Sequence, residues 1–515
     1  MLIPKTRNLF TFVLLVLQGS EMRYESILGG RGRRADEQMV WDLRISELLA
    51  DILGREKNEF LRSLYLEQLE REETAVFRLN VFQDLMREEV YDAVRGFVDK
   101  IRECAGLIKL EEDAYEQHKL GLHLDAALIY IEALESLYTN LRALGVRSEG
   151  LSRFLNYLQD IVESASFHSM KERAYEAKRA REEIKIRVKI AGDKVSVWRY
   201  DDGEDLSSLI EELFSRFRGE DVEEVKYVRT AGEMSHIHAA ILEGAFQFYK
   251  KEYETLRKFA EDFPTIIDEG IMSFVSEVEF YLTYIRYMKR IKERGYPFSI
   301  PSFTKDGSIH VKGLYNLLLA KVGKAVPNDI HTDGVRRIFI ITGMNGGGKT
   351  TFTISLGQLV FLSTLGLPVP ATEARIPFFT SIMTAFSVEE DRRGGVSRLE
   401  QDVVRALEIL KHANTSTLVI ANELFSTTTS DEGFQLAKLF LSELRERGAY
   451  CLYVTFIPRV ASLDFVISLV AMPSPEEPEK PSYKILPGGP PSEYMAIRIA
   501  AKYRLLYDEL RGMLS

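Results

Sequence analysis

Apolar residues recur three and four positions apart over residues 37–181, as at Leu124, Ala127, Leu128, Ile131 and Leu134, a spacing that gathers them on one face of a helix. A long helical region is predicted there. At Ile184 the period changes to two: Ile184, Ile186, Val188 and Ile190 alternate with charged residues, Gly192-Asp193 supplies a turn, and Val195, Val197 and Arg199 continue. This predicts a β-hairpin, at about residues 184–200, set between helical blocks. Helical spacing returns over residues 206–294, with Phe246, Tyr249, Tyr253 and Leu256 on its apolar stripe, until Pro297, Pro301 and the Gly307 turn break it. From Val335 onward short apolar runs at 338–341, 417–420, 451–454 and 465–470 are separated by helical segments, the pattern of a mostly parallel α/β sheet. Pro473, Pro475, Pro478, Pro481 and Pro487 predict a loop, and residues 493–514 read as a last amphipathic helix or helix pair.

Composition narrows the class. A chain of 515 residues is too long for one ordinary core, and 45% hydrophobic with 28% charged content is that of a globular, multidomain protein. A net charge of −10 argues against indiscriminate coating of nucleic acid, although a local basic surface can still hold phosphates. Cys104 and Cys451 lie far apart and offer neither a disulfide framework nor metal-ligand spacing, which fits a reducing cytoplasm. Lys5 and Arg7 precede an apolar run at 9–17 with the charge and length of a signal peptide's first two regions, too short to span a bilayer. No clear small-x-small cleavage site follows, so an over-extended start before Met22 or a packed segment is favoured over export, and no stable membrane association is expected.

Two stations carry candidate chemistry. Gly343-Met344-Asn345-Gly346-Gly347-Gly348-Lys349-Thr350 fits GxxxxGK[ST], follows the buried strand at 338–341 and precedes an apolar helix at 352–365. Glycines there let successive backbone N–H groups turn toward phosphate oxygens, the helix N-terminus adds positive potential, Lys349 reaches the outer phosphates, and Thr350 can ligate Mg²⁺. Thr351 follows in the nucleotide-contacting set. The second station is Asn422-Glu423, at the end of the apolar strand beginning at Thr417. Phosphate-loop ATPases keep a magnesium-orienting Asp and a catalytic Glu at such a strand end. Asn422 can accept a bond from a metal-bound water but lacks the charge, and Glu423 can orient an attacking water. Standing alone, the pair reads equally as a core strand ending in a capping Asn.

Those residues, together with Gly366-Leu367-Pro368-Val369-Pro370-Ala371, Gly395-Val396-Ser397 before a long helix, and Ser426-Thr427-Thr428-Thr429-Ser430, resemble the MutS mismatch-repair ATPases in order and spacing. The likeness is strong over roughly the last third. It is weaker at 74–85, with Arg78, Val81 and Asp84-Leu85, and at Val326-Pro327-Asn328-Asp329. The resemblance implies ATP with Mg²⁺ as cofactors, a homodimer with composite sites in which Ser397 reaches the partner's γ-phosphate, and Asp402 as an acidic residue of the same motif. It also implies an α-helical core and lever domain at 37–300 followed, after a linker at 301–334, by a phosphate-loop α/β ATPase domain of ABC/MutS type at 335–515. Residues 1–36 are left as a separate N-terminal segment, and the helix containing Tyr494, Ala496, Ile499 and Tyr503 resembles the family's dimer-contact region.

The chain departs from that family in four places. Phe456 follows Thr455 where the family has a switch histidine, Ala325 stands where an aromatic stacks on adenine, and Asn422 replaces the acid. Slow hydrolysis is therefore expected. Fourth, no domain that wedges a Phe beside a mismatch is expected before the helical region, since the lone Phe259-Ala260-Glu261 lies in a helical run. The expected function is an ATP-dependent DNA-binding protein acting on duplex or branched DNA, in mismatch repair or recombination-related maintenance. The alternative is an ATP-gated scaffold with little hydrolysis that binds a protein partner or branched DNA. Lys171, Arg173, Lys178, Arg179, Arg181, Lys185 and Arg187 form the candidate phosphate-contacting surface, though the interspersed Glu172, Glu176, Glu182 and Glu183 favour a solvated helix with internal pairs.

Overall fold

The computed structural model describes residues 23–54, 58–191, 194–200, 236–386, 397–477 and 479–489. The apolar run at 9–17, the predicted helix at 493–514, the first part of the 206–294 block, the Gly192-Asp193 turn and Gly395-Val396 lie outside the described residues. The chain is helix-rich with mixed sheets and divides into two compact units. One gathers Arg87–Arg147 and Leu151–Val275; the other gathers Ser26–Met86, Ser148–Gly150 and the chain from Ser276 onward.

The first unit is helical. Glu88–Glu111 buries Val90, Val94, Phe97, Val98 and Ile101, spaced three or four apart, against Glu116–Leu144, which buries Leu124, Ala127, Ile131 and Leu134. Between the two helices Cys104 donates to Ala126 O at 3.2 Å, and burial pushes its thiol up to about 12, so it is inert as a nucleophile. Phe154 and Phe274 stack with ring centroids 3.4 Å apart. Ile186–Ala191 pairs antiparallel with Lys194–Arg199, and this hairpin lies against His236–Phe248: a Cβ on Gly244 would meet Val197 at 3.0 Å. Tyr249 anchors it by donating to Lys185 O at 2.5 Å. Phe259 is a core residue, packed edge-on against His123.

The second unit is built on a six-stranded sheet of β1 (Ile338–Gly343), β2 (Ser381–Phe386), β3 (Thr417–Asn422), β4 (Tyr450–Val454), β5 (Val466–Pro473) and β6 (Pro481–Pro487), in the order β2-β3-β4-β1-β5-β6. All neighbours are parallel except β5 and β6. β2 is not one of the apolar runs because only alternate positions of its first half are buried. β6 occupies the proline-rich stretch read above as a loop. Its prolines sit at its two ends, and an edge strand tolerates their missing donors. Residues around 301–334 also contribute three strands, which join Glu373–Ile376 in a four-stranded sheet of spatial order Ser302–Phe303, Glu373–Ile376, Ile309–Leu314, Asn328–Thr332.

After β1 comes α1 (Lys349–Thr364), whose residues from Phe352 to the end are all buried, polar ones included. A helix facing water on one side would show a polar stripe; α1 shows none because it is covered on opposite faces. A Cβ on Gly357 would meet Ile420 of β3 at 2.7 Å and Leu43 at the same distance. Gln358 donates to Leu43 O at 2.9 Å, and Thr364 O accepts from Leu69 N at 3.0 Å. The segment Ser26–Met86 therefore packs on the helix that follows the glycine-rich loop. Its deepest member is Arg78, 0% exposed, donating to Leu28 O, Gly30 O and Leu365 O at 2.9, 2.8 and 3.0 Å. The last of these carbonyls ends α1. Gly366 follows with φ +73°, and a Cβ there would strike Arg78 Cβ at 2.7 Å. The later helices α2 (Arg398–His412) and α3 (Ser430–Glu446) bury Ala406, Ile409, Ala437, Phe440, Leu441 and Leu444 in one cluster with β1, β3 and β4.

Replacing Arg78 with Met keeps the bulk but strands three carbonyls, two of them buried, each of which loses a charge-assisted bond. The expected cost is about 3 kcal/mol, read as a lowered urea midpoint with an unchanged slope; a midpoint equal to that of the parent protein would contradict this account of the helix end.

Candidate functional site

In a parallel sheet the strand carboxyl ends face one edge, and loops there collect polar groups. Gly343 closes β1, Asn422 closes β3 and Thr455 follows β4, all on that edge. The loop between β1 and α1 turns through three positive φ angles, +111° at Gly343, +69° at Gly346 and +89° at Gly348. Gly347 has no room for a side chain, since a Cβ would meet Ala471 Cβ and Met344 O at 2.9 Å. Met344 and Gly348 are half-buried, Asn345 and Gly346 exposed. Glycine thus serves both conformation and close approach of β5.

Lys349 opens α1 and is 5% exposed. Its ammonium donates to Gly343 O and Met344 O, both at 2.9 Å, and lies 4.7 Å from the Phe456 ring centroid. Burial lowers its pKa, and the charge of Glu423 opposes that fall. Thr350 donates its hydroxyl to Asn422 Oδ1 at 3.0 Å, so the loop and the end of β3 are joined through two neutral oxygens. Thr351 is half-buried, and its backbone carbonyl accepts from the Ser355 hydroxyl at 2.6 Å.

Glu423 lies one residue past β3 with φ +60°, and Phe425 repeats this at +64°. Such backbone is strained for residues with a Cβ and persists only when held. Three bonds hold it: Glu423 N donates to Val454 O at 2.9 Å, Tyr453 donates to Leu424 O at 2.6 Å, and Phe425 N donates to Asp402 Oδ2 at 3.0 Å. Burial raises the pKa of Asp402, and the Phe425 bond works against that rise. Asp402 thus acts on the Glu423 turn from α2. Ser397 is exposed and caps α2, accepting from Glu400 N at 3.2 Å, and among the described residues no hydrogen bond ties it to the loop of its own chain.

Ala325 is buried with its N–H and C=O both bonded to the Tyr296 hydroxyl at 3.1 Å. Nearby Asn328 donates to Val326 O and to Tyr483 O at 3.2 and 3.0 Å and accepts from Ile485 N at 2.8 Å. Tyr483 itself lies against Gly348 and was missed by sequence reasoning, because prolines on either side marked its stretch as a loop. The alternation of Tyr483 and Ile485 was the available signal. On the candidate basic helix, Lys171 pairs with Glu135 at 2.5 Å, Arg181 with Asp125 at 2.7 Å, and Arg173 with Asp262. These cations are at least partly engaged within the chain. Among the described residues no cluster of three His, Cys, Asp or Glu side chains could hold a metal, and no helix is long and apolar enough to cross a membrane.

Chemically, the loop can present N–H groups and one ammonium to an anion, while the Thr350–Asn422 pair can offer oxygens to a hard cation. Fold and site define an α/β domain with a glycine-rich loop at the carboxyl edge of a mainly parallel sheet. Residues 339–474 match the family model for MutS domain V. The chain is 26% identical over 293 residues to the DNA mismatch repair protein MutS of Lactobacillus delbrueckii subsp. bulgaricus, covering 55% of this chain and 34% of that one. It is 33% identical over 171 residues to the Endonuclease MutS2 of Geobacillus kaustophilus, 32% and 22% of the two chains, and 31% identical over 193 residues to that of an Anaeromyxobacter species, 37% and 24%. The match to MutS domain V and the similarity to MutS and MutS2 proteins over up to about half the chain support a member of the MutS family. It spans about a third or less of the length of these relatives.

Removing the Asp402 carboxylate as Asp402→Ala leaves the buried Phe425 amide without an acceptor, at a cost of about 1–3 kcal/mol. Hydrogen exchange at Phe425 should accelerate by an order of magnitude or more, while Asp402→Asn, which keeps an acceptor oxygen, should preserve much of the protection.

Proposed function

We propose that this chain is a MutS-type ATPase that binds ATP between the glycine-rich loop and the end of β3, hydrolyses it slowly, and couples the bound state to holding DNA. The observation that carries the reading is the convergence of Lys349, Thr350, Asn422 and Glu423 on one sheet edge, with Lys349 bonded to loop carbonyls that it can leave for phosphate oxygens. The loop amides from Gly343 to Gly348 and the start of α1 at Lys349, Thr350 and Thr351 would cradle the phosphates. Lys349 would neutralise the outer ones.

The residues fit Mg²⁺ only through oxygen: Thr350 would hold it directly and Asn422 through water, and both are uncharged. Bound there, the ion would neutralise charge on the β- and γ-phosphates. Glu423, aimed by its held backbone, would orient the attacking water. Ser397, exposed at the start of α2, would complete the site of a second copy, making the working unit a homodimer with composite sites. The relatives, a DNA mismatch repair protein and an endonuclease, support DNA as partner, in repair or recombination-related maintenance. Phe456 over Lys349, where an imidazole could have sensed phosphate, supports slow turnover and so also the reading of an ATP-gated scaffold on branched DNA or a protein partner.

Lys349→Ala should weaken binding of a fluorescent ATP analogue on the order of 100-fold, the effect of losing a desolvated charge-assisted contact. Undiminished binding would sink the site assignment. Asn422→Asp restores a charge beside Thr350, so it should lower the Mg²⁺ concentration needed for half-maximal turnover and raise turnover itself. Loss of Mg²⁺ response in that variant would count against the metal role of this pair.

A further inference from the structure

The Ser26–Met86 segment, which backs α1, carries a cleft of its own. Its lining comes from helix Ile45–Leu53, helix Glu59–Leu64, Arg34 and the Leu66-Glu67 pair, and its volume is about 710 Å³. Small-molecule sites are on the order of 300–1,000 Å³. Gly54 ends the first helix with φ +63°, and Asn58 opens the second by accepting from Leu61 N at 3.1 Å. The first helix buries Ile45, Leu48 and Ile52, and the second buries Leu61 and Leu64. Toward the cleft they leave a mixed surface, in which Leu49 and the half-buried Leu53 and Leu66 supply an apolar wall.

Charge decides what such a cleft can take. Of its two lining acids, Glu67 is committed: Arg31 donates Nε to its Oε2 at 2.6 Å and Nη2 to its Oε1, and these bonds hold the Glu67 carboxyl below the usual carboxylate range. The two lining arginines are not committed in this way. Arg34 meets Glu37 at 3.4 Å with the two side chains 76% and 87% exposed, a surface pair that water largely screens. Arg62 makes no hydrogen bond or ion pair among the described residues. The cleft thus presents two loosely held guanidiniums against one carboxylate, Glu59, that has no partner of its own among the described residues. A guanidinium takes phosphate, sulfonate or carboxylate oxygens in pairs, and apolar side chains beside it take whatever apolar body carries that anion.

We propose that this cleft binds a small amphipathic anion, a phosphate or carboxylate carried on an apolar body, with Arg34 and Arg62 on the anionic group and Leu49, Leu53 and Leu66 against the body. The site is distinct from the glycine-rich loop, although the same segment serves both. Leu43, two residues before helix Ile45–Leu53, is the residue whose carbonyl accepts from Gln358 of α1.

Anilinonaphthalene sulfonate, an anion on an apolar body that fluoresces when shielded from water, is the probe, titrated into the full-length protein beside its uncharged analogue phenylnaphthylamine. Arg34→Ala and Arg62→Ala should each weaken the sulfonate about tenfold, leave the uncharged analogue unchanged, and keep the urea midpoint of the unsubstituted protein. Ala50→Trp, which fills the cleft from an exposed position on its lining, should abolish binding of both dyes. Lys349→Ala should bind the sulfonate as the unsubstituted protein does. Competition then identifies the body: displacement of the dye by decanoate assigns a lipid-derived acid, and displacement by naphthyl phosphate assigns a ring-bearing phosphate. Sulfonate affinity unchanged in Arg62→Ala or in Ala50→Trp would overturn the site, as would displacement by neither competitor. Loss of the dye in Lys349→Ala would overturn it too, because the probe would then occupy the glycine-rich loop.

Discussion

The burial of α1 on opposite faces is the constraint on which the rest of the second unit depends. A helix with strands on one side and the Ser26–Met86 segment on the other cannot shift without opening both contacts. Protein interiors pack too densely to absorb such a shift gradually. Its first residue is therefore placed by the core rather than by the loop, and that residue is Lys349. Its far end is tied with equal force, since Leu365 O, Leu28 O and Gly30 O all converge on one buried guanidinium. Burial lowers the pKa of Arg78, yet arginine stays charged in proteins, so three carbonyl dipoles are what make its burial tolerable.

Around that fixed helix the site is assembled from backbone held out of its preferred shape. Glu423, Phe425 and Tyr483 have positive φ without being glycine. Each is over-determined by neighbours from another element: Val454, Asp402 and Tyr453 for the first two, Asn328 for the third. Strain of this kind, costing on the order of 1–3 kcal/mol per residue, concentrates where geometry serves chemistry. The link between the loop and the end of β3 is uncharged. Thr350 and Asn422 meet as neutral groups, and Lys349 is covered by the Phe456 ring. On the proposed reading, a site built from these groups would bind phosphate yet transfer it slowly.

Much of this was legible in the sequence. The glycine spacing before Lys349-Thr350, the apolar strands ending at Gly343 and Asn422, and the family resemblance all rest on local pattern, which reflects backbone conformation and strand burial directly. Other features were hidden for physical reasons. The strand Ser381–Phe386 buries its residues unevenly, and Pro481–Pro487 carries prolines that only an edge position excuses. The role of Arg78 was invisible because nothing local distinguishes a buried arginine from a solvated one in a helix. Its partners lie 48 to 287 positions away.

Sequence by itself determined where glycines let the backbone turn and which strands would be buried, because glycine placement and hydrophobic period are properties of neighbouring residues. Tertiary structure alone decided what stands beside the loop: the Ser26–Met86 segment on the back of α1, Asp402 behind the Glu423 turn, and Tyr483 against Gly348. Those are contacts between residues far apart in the chain, and their geometry follows from dense packing and from where unpaired carbonyls and amides find partners.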